Sequence, residues 1–420
     1  MNSEVSYIGD INGNGDASPV PFRVATPDGI DDDAQEYLLS HDGIEMSDLT
    51  NAQGAIIRSA TKLKDAAAFE AAPNLAYVVR SGDGHDNIDK PEASAHGVAT
   101  VNTPGVSSRD VALHANAFIT SWARRLMEGS ASLRRGQWAK KELKPRELNT
   151  LGIIGYGNIG KQAEKISGPL FEKVLRFDAL PDRNNVKNID ELLETSTVIC
   201  IHAAGKQEIL TPELLNKIGP GTLLVNTSRG SNVNINGLLA RLSADDDFSY
   251  ATDVFWGEPP NPRGQVYEQI RRHPNFMGTP HIAASRIGNQ KDLGRTAVAR
   301  ILEFAQHGTV NPDDIQGHTL PKIELRPREE VGGRVVLLHE SKPGKLETIF
   351  DGTGDKQMNI QRNTNDQGAK FSGHRLAQTV FDFESDVVPE SALKIMRRIE
   401  SELDAYHTRL LWYAQKPPTA

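Results

Sequence analysis

The stretch TLGIIGYGNIGKQAEKI, residues 150–166, passes from an apolar run through three spaced glycines into a polar run suited to a helix. Gly155, Gly157 and Gly160 stand in the spacing G-x-G-x-x-G. Glycine-rich turns are common, so the spacing alone says little. Its setting says more, because LGII before it predicts a strand and KQAEKI after it predicts a helix. In that setting the first glycine makes a tight turn and the second admits a pyrophosphate to the backbone, while the third lets helix and strand pack closely. The N–H groups at the helix start then point at the phosphates. Asp178 ends the next predicted strand, KVLRFD, where a carboxylate accepts from ribose hydroxyls and repels a 2′-phosphate. The expected cofactor is therefore NAD(H) rather than NADP(H), with Arg176 on the same strand as the one opposing group.

Strand and helix runs alternate on both sides of this turn. Upstream, FRVAT, GAIIRSA, LAYVVRS and VATVNT read as strands, and DDAQEYLLS, KLKDAAAFEAAP and KPEASAHG as helices. One long helix is expected over SSRDVALHANAFITSWARRLMEGSASLRRG. Downstream, STVICIHA, TLLVNTSRG, SYATDVF and NFMGTPHI are apolar runs that end in polar residues, and GNQKDLGRTAVARILEFAQHG is a returning helix. The alternation predicts an α/β chain with two doubly wound parallel sheets and ligands at the strand ends. After the Pro-rich connector VNPDDIQGHTLPKIELRP the texture changes. GGRVVLLHES, KLETIFDGTG, HRLAQTVFDFES, PESALKIMRRIESE and HTRLLWY suggest an α+β, ferredoxin-like βαββαβ module. The expected organisation is a flexible lead over 1–21, a substrate domain over 22–108 and 285–318, an NAD domain over 109–284, a linker over 319–331 and a C-terminal module over 332–420.

Composition narrows the partners. With 38% hydrophobic and 24% charged residues, the chain can bury a core. Its 47 basic and 55 acidic side chains leave a net charge of −8, which argues against a general nucleic-acid or anionic-membrane surface. The lone cysteine, Cys200, lies in the apolar run TSTVICIHAA, permits no intrachain disulfide and fits a reducing, cytoplasmic setting. No apolar run reaches the roughly 20 residues that span a bilayer, and MNSEVSYIGDINGNGDASPVPF lacks the basic and apolar parts of a secretory signal. No metal site is expected.

Three polar groups follow predicted strands and can share one sheet edge: Arg229 in VNTSRG, Glu258 in DVFWGEPP and His281 in GTPHIAAS. Singly, each reads as a solvated or structural side chain. Together they supply a use. An arginine holds a carboxylate by two charge-assisted bonds, a histidine carries a hydroxyl proton near neutral pH, and a glutamate on its other nitrogen fixes the tautomer and favours the charged ring. Those parts suit the interconversion of a 2-hydroxy acid and a 2-keto acid.

The run from Arg58 to Ala284 resembles the D-2-hydroxyacid dehydrogenase family, through VRSGDGHDNID, VNTPG, GYGNIG, NTSRG, DVFWGEPP and TPHIAAS in family order. The resemblance implies that Arg229 binds carboxylate and polarises the carbonyl, that His281 is the acid/base and that Glu258 is its partner. It also implies that the two sheets are a flavodoxin-like substrate unit and a Rossmann unit. It places Asp253 near the nicotinamide, and extends the cofactor set to Asn158, Ile159, Thr227, Ser228 and Ala284. Substrate contacts are implied for Ser81, Gly82, Gly84 and Asn87.

IIRSATKL resembles the D-3-phosphoglycerate dehydrogenase branch, in which the arginine matching Arg58 helps hold the phosphate; Lys62 and Arg80 stand close by in motif order. LRRGQWAKKE adds Arg134, Arg135, Lys140 and Lys141, in a segment that the branch places at a dimer contact able to reach a neighbouring active site. A solvated basic helix face is the plainer reading of that second cluster. GGRVVLLHESKPGKLETIF and KQMNIQRN resemble an ACT regulatory domain, with His339 and Asn359 at L-serine-binding positions and Ser341 where an asparagine is usual. Other departures are the short HDGIEMSDLTNAQG and HAAGKQEILTPELL, and Asp83, whose charge would face the cofactor region. The resemblance implies oxidation of 3-phospho-D-glycerate with NAD, the first step toward serine, by a homodimer or homotetramer whose substrate and NAD domains close on each other. Two rivals use the same residues: a dehydrogenase of another acid, such as 2-hydroxyglutarate, glycerate or lactate, and an NADH-sensing protein resembling the dehydrogenase-like co-repressors.

Overall fold

The computed structural model describes residues 21–258, 264–309, 333–340, 360–371, 374–383 and 407–412. The linker, Ser341, Asn359 and residues 1–20 of the lead lie outside them. Near the N-terminus, β1 (Phe22–Ala25), α1 (Asp32–Leu39), β2 (Ile44–Met46), β3 (Gly54–Ile57), α2 (Ala66–Glu70), β4 (Tyr77–Arg80), α3 (Lys90–Ala95) and β5 (Ala99–Asn102) follow in turn. The strands pair in parallel in the order β2-β1-β3-β4-β5, the flavodoxin-like order expected. The inner strands are apolar almost throughout because helices cover both faces. Asp31, Asp65 and Asp89 start the three helices by accepting a backbone N–H. The shortened stretch HDGIEMSDLTNAQG keeps only β2, a three-residue edge strand.

Two helices, α4 (Ser108–Ala123) and α5 (Leu126–Arg134), stand where the helical period predicts one. The break falls at Arg125, which is left-handed at φ 55°. Its guanidinium reaches Glu128 and the Lys144 carbonyl, while Arg146 lies over the Trp122 ring. The Lys144 and Arg146 contacts come from a distant loop, so the helical period of the sequence carries no trace of them.

β6 (Thr150–Ile154), α6 (Asn158–Ser167), β7 (Lys173–Phe177), α7 (Ile189–Thr195), β8 (Val198–Ile201), α8 (Pro212–Asn216), β9 (Leu223–Asn226), α9 (Ile235–Ala244), β10 (Ser249–Thr252), α10 (Gln265–Arg272) and β11 (Phe276–Gly278) complete the second α/β unit. Its sheet is parallel, ordered β11-β10-β9-β8-β6-β7. Strand order reverses between β6 and β8, and there the carboxyl ends of a doubly wound sheet open a crevice. Leu192, Leu215, Leu238 and Phe248 fill one side of the sheet and Ala115, Phe118, Ile119 and Trp122 the other. Cys200 is part of the second cluster, and burial pushes its thiol up to about 12, so it is a core residue.

The returning helix is α11 (Ile287–His307). It lays Ala297, Val298, Ile301 and Phe304 on the first sheet, with Phe304 stacked on Tyr77 at 4.1 Å. Beyond it, β12 (Gly333–Glu340), β13 (Ile360–Phe371), β14 (His374–Phe383) and β15 (His407–Trp412) form an antiparallel sheet ordered β13-β14-β12-β15. By sequence rank that is 2-3-1-4, the strand order of a split βαβ module. Leu338 of β12 joins the Phe304 cluster, and Gln378 donates to the Gly308 carbonyl at 2.6 Å. The polar run IQRNTNDQGAKF carries no strand signal in the sequence, yet it forms β13. It is an edge strand with two register shifts, a position where apolar alternation is not required. One compact unit spans Gly105–Asn289, and the segments before and after it make up the other. Among the described residues no helix is long and apolar enough to cross a membrane.

Candidate active site

The glycine turn divides its labour sterically. Gly155 is left-handed at φ +91°, and a Cβ there would stand 2.5 Å from the Ala203 nitrogen. At Gly160 a Cβ would stand 2.2 Å from the Gly155 carbonyl oxygen, so helix α6 can approach the turn only without a side chain. At Gly157 nothing lies within 4 Å of the same position. That open face, at a helix start which no side chain caps, fits a pyrophosphate. Asp178 accepts from the amides of Tyr156 and Leu180 at 2.6 and 2.9 Å, which fixes its carboxylate at the end of β7. Arg176 does not compete with it. Its guanidinium lies over the Tyr156 ring at 4.8 Å and pairs with Glu164 at 3.6 Å, which offsets the charge a 2′-phosphate would need.

The loops after β9, β10 and β11 carry the three polar groups. Behind Arg229, Asn226 and Asn232 are wholly buried and hold the NTSRG turn: the Ser228 amide donates to Asn226 Oδ1 and its hydroxyl to Asn232 Oδ1, and Asn226 donates to the Arg229 carbonyl. Thr227 Oγ1 meets His202 Nδ1 at 3.2 Å. Burial takes the His202 pKa down to about 4, so that ring stays neutral. Glu258 Oε1 accepts from the Phe255 amide at 2.9 Å, while Oε2 meets His281 Nδ1 at 2.5 Å. Burial pushes the Glu258 carboxyl up, but the bonds from His281 and Phe255, with the nearby charges of His281 and Arg229, hold it below the usual carboxylate range. The Glu258 bond raises the His281 pKa, outweighing partial burial and the opposing charge of Arg229. His281 itself is left-handed at φ 54°, a conformation costing about 1–2 kcal/mol without glycine. Asp253, buried to 1% exposure, accepts from Thr279 Oγ1 and from the amides of Ile282 and Ala283, and so spans this turn. Ala284 accepts from Asn289 at 2.6 Å.

The residues of the first unit expected to meet the substrate lie close to one another in sequence and structure. Arg58 and Ser81 line a cavity of about 240 Å³ with Asp28, Asp31 and Gln290. Asn87 donates to the carbonyls of Arg58 and Thr61 at 2.6 and 2.8 Å, and Gly82 N donates to Thr103. Arg80 donates to the Ser81 carbonyl, and its guanidinium crosses Gly82 so closely that a Cβ there would overlap it. Gly84 is half-buried in the same loop. Arg134 is exposed at the end of α5, near Trp138, which is 80% exposed. His339 is buried within β12 and meets Thr379 at 3.0 Å.

Asp28 lines the same cavity as Arg58, a placement that the sequence does not announce. Its carboxylate accepts from the amides of Arg58 and Thr61 and from the Thr61 hydroxyl, closing the RSAT turn from thirty residues away. Burial raises its pKa, but these donors and the Arg58 charge bring it below the usual value. The run TPDG signals a turn, yet nothing local shows how far its carboxylate reaches. Among the described residues no group of three or more His, Cys, Asp or Glu could hold a metal ion.

A doubly wound sheet with a dinucleotide-fitting turn and a histidine–carboxylate pair at its strand ends defines an NAD-dependent dehydrogenase. The NAD-binding-domain model of the D-isomer specific 2-hydroxyacid dehydrogenases matches residues 116–283. A hydroxypyruvate reductase of Thermotoga maritima is 30% identical over 302 residues, covering 67% of this chain and 98% of the relative. A D-3-phosphoglycerate dehydrogenase of Bacillus subtilis is 28% identical over 368 residues, covering 78% of this chain and 69% of the relative. The NAD-bound 3-phosphoglycerate dehydrogenase of Entamoeba histolytica superposes with a TM-score of 0.58 at 25% identity, over 69% of this chain and 97% of that one. The chain belongs to the D-2-hydroxyacid dehydrogenase family, and NAD is its cofactor.

The glycine geometry predicts opposite failures. Gly157→Ala should fold normally and lose NADH binding, whereas Gly160→Ala should lower thermal stability, because its Cβ meets backbone. NADH titration by fluorescence, run beside thermal unfolding, checks both; equal loss of stability in the two variants would contradict the assignment.

Proposed function

We propose that this enzyme is a D-3-phosphoglycerate dehydrogenase, interconverting 3-phospho-D-glycerate and 3-phosphohydroxypyruvate in the cytoplasm. The observation that carries the chemistry is the 2.5 Å bond between His281 and Glu258, with the charge of Arg229 acting on both. Arg229 holds the substrate carboxylate and polarises the carbonyl. NADH, when bound, supplies the hydride. His281, with Nδ1 tied to Glu258, presents Nε2 and gives the proton to the carbonyl oxygen in reduction, or takes it in oxidation. Glu258 stabilises the charged ring. The Arg58 cavity supports a phosphate, and the Bacillus and Entamoeba relatives carry the same name.

A second reading, reduction of an unphosphorylated acid, is favoured by two observations. Asp28 and Asp31 bring two carboxylates to the cavity that holds Arg58, and the Thermotoga relative is named for hydroxypyruvate. The C-terminal strand order supports an ACT-type module, and L-serine regulation through His339, Ser341 and Asn359 is part of the reading. Exposed Leu126, Met127, Leu133 and Trp138 support association through the α4–α5 region.

NADH consumption with 3-phosphohydroxypyruvate, hydroxypyruvate, 2-oxoglutarate, glyoxylate and pyruvate, with and without L-serine, tests the substrate. The phosphorylated acid should lead. Arg58→Ala should cut its kcat/KM roughly 10- to 150-fold, the equivalent of one charge-assisted bond of ~1.5–3 kcal/mol, and leave glyoxylate unchanged. An equal loss on both would assign Arg58 no phosphate. Reduction requires charged His281, so its kcat/KM should be level in acid and fall as pH rises through a pKa above the ordinary imidazole value of about 6.5. Glu258→Gln removes the charge that raises this pKa, and should move the fall to lower pH; an unmoved limb would rule out the pair. Native mass at micromolar concentration should exceed that of a 46.0 kDa monomer.

A further inference from the structure

Thr279 joins three parts of the His281 turn. Its amide donates to the Thr252 carbonyl at 3.0 Å, its carbonyl accepts from the His281 amide at 3.0 Å, and its hydroxyl donates to Asp253 Oδ1 at 2.6 Å. A hydroxyl has one proton to give. His114 Nε2 lies 2.8 Å from the same hydroxyl oxygen, so with that proton committed to Asp253 the contact is a bond only if Nε2 carries hydrogen and donates. The polarity of the chain is thereby fixed: His114 Nε2–H to Thr279 Oγ1, Thr279 Oγ1–H to Asp253, with the Ile282 and Ala283 amides closing on Asp253 from the other side. His114 lies on α4, four-fifths buried, with the Phe118 ring edge-on at 4.9 Å and Asp253 Oδ1 at 3.7 Å from Nε2. The other charged groups on that side are Asp110 and Arg286, paired with each other at 2.9 Å.

We propose that His114 is a positioning residue for the proton carrier: its Nε2–H locks the Thr279–Asp253 clasp and so holds the left-handed turn that aligns His281 with Glu258. The inference rests on His281 as proton carrier. It explains why a turn close to the end of a rigid strand carries an imidazole in an unfavourable backbone conformation. The turn cannot relax while three donors converge on a buried carboxylate, and the hydroxyl among them is held in turn from a different helix. His114 touches no reacting atom.

The test compares His114→Leu, which cannot donate, with His114→Gln, whose side-chain amide can. Thr279→Val and Thr279→Ser repeat the comparison at the hydroxyl. Two readouts are taken: the NMR titration of the His281 ring in the full-length enzyme, assigned by its absence from His281→Gln, and the separate kcat and KM for keto-acid reduction. In the Leu and Val variants the His281 midpoint should fall toward the ordinary imidazole value, and kcat should drop about tenfold or more with the KM for NADH unchanged. The Gln and Ser variants should keep both near wild type. An unmoved midpoint in His114→Leu overturns the proposal, even if the rate falls, because a merely structural residue would change rate alone. Should Thr279→Val fail to fold, the His114 pair decides. A midpoint that falls as expected while His281→Gln retains full activity would leave the positioning in place and remove the proton-carrier reading.

Discussion

The candidate site depends on one buried carboxylate. Asp253 comes directly after β10, at 1% exposure, and a charge in that position is tenable only if donors surround it. It has three: a hydroxyl and two backbone amides, all from residues 279–283. Charge-assisted bonds of this kind are shorter and stronger than neutral ones, so the loop after β11 is tied to the end of β10 more firmly than loop backbone usually is. His281 lies inside that span. Its left-handed φ of 54° is the local cost of the arrangement, and the consequence is an imidazole whose Nδ1 faces Glu258.

The parallel sheet makes such a tie possible. In register, Ser249–Thr252 pairs with Leu223–Asn226 and Tyr250–Thr252 with Phe276–Gly278, so the three strands end side by side. A polar residue placed just after each strand then reaches a common edge without any long loop having to be ordered. Asn226 and Asn232 do for the Arg229 turn what Asp253 does for the His281 turn, with amides instead of a charge. Rigid strand ends and short, internally bonded turns together give pre-organised side chains, and pre-organisation lets weak groups act in catalysis.

Features governed by local sterics and by period were legible in the sequence. The three glycines of GYGNIG could be assigned separate tasks because each task is a matter of space, and the Cβ positions at Gly155, Gly157 and Gly160 are respectively blocked, open and blocked. The alternation of strands and helices pointed to both parallel sheets, since buried parallel strands have to be apolar on both faces. What escaped was long-range. The break at Arg125 has no helix-breaking residue; its left-handed backbone comes with a contact to the Lys144 carbonyl from a distant loop. The strand Ile360–Phe371 is polar because it is an edge. The carboxylate of Asp28 and the imidazole of His114 act thirty and 165 residues from their partners, so no reading of neighbours could find them. Arg229, Glu258 and His281 could be grouped because each follows a predicted strand and so reaches one sheet edge, and the resemblance then implied their roles; their geometry was in neither.

Charge in the first unit sets the harder question of which acid is bound. A phosphate brings nearly two negative charges, and the cavity beside Arg58 already holds Asp28 and Asp31. Both carboxylates have local work: Asp28 ties the RSAT turn, and Asp31 accepts from Asp33 at the start of α1. Donors that satisfy a carboxylate's lone pairs reduce its reach as a hydrogen-bonding competitor, but they do not remove its charge, and the lowered pKa of Asp28 keeps it ionised. A single arginine facing them would leave the cavity net negative. The proposed phosphate therefore calls for a second cation beside Arg58, and Arg80, whose guanidinium is folded over Gly82 and held by the Ser81 carbonyl, stands close by in motif order. On the proposed reading, discrimination between a phosphorylated and a plain hydroxy acid comes down to the balance of Arg58 and Arg80 against Asp28 and Asp31, because the proposed roles of His281 and Glu258 are the same for either substrate.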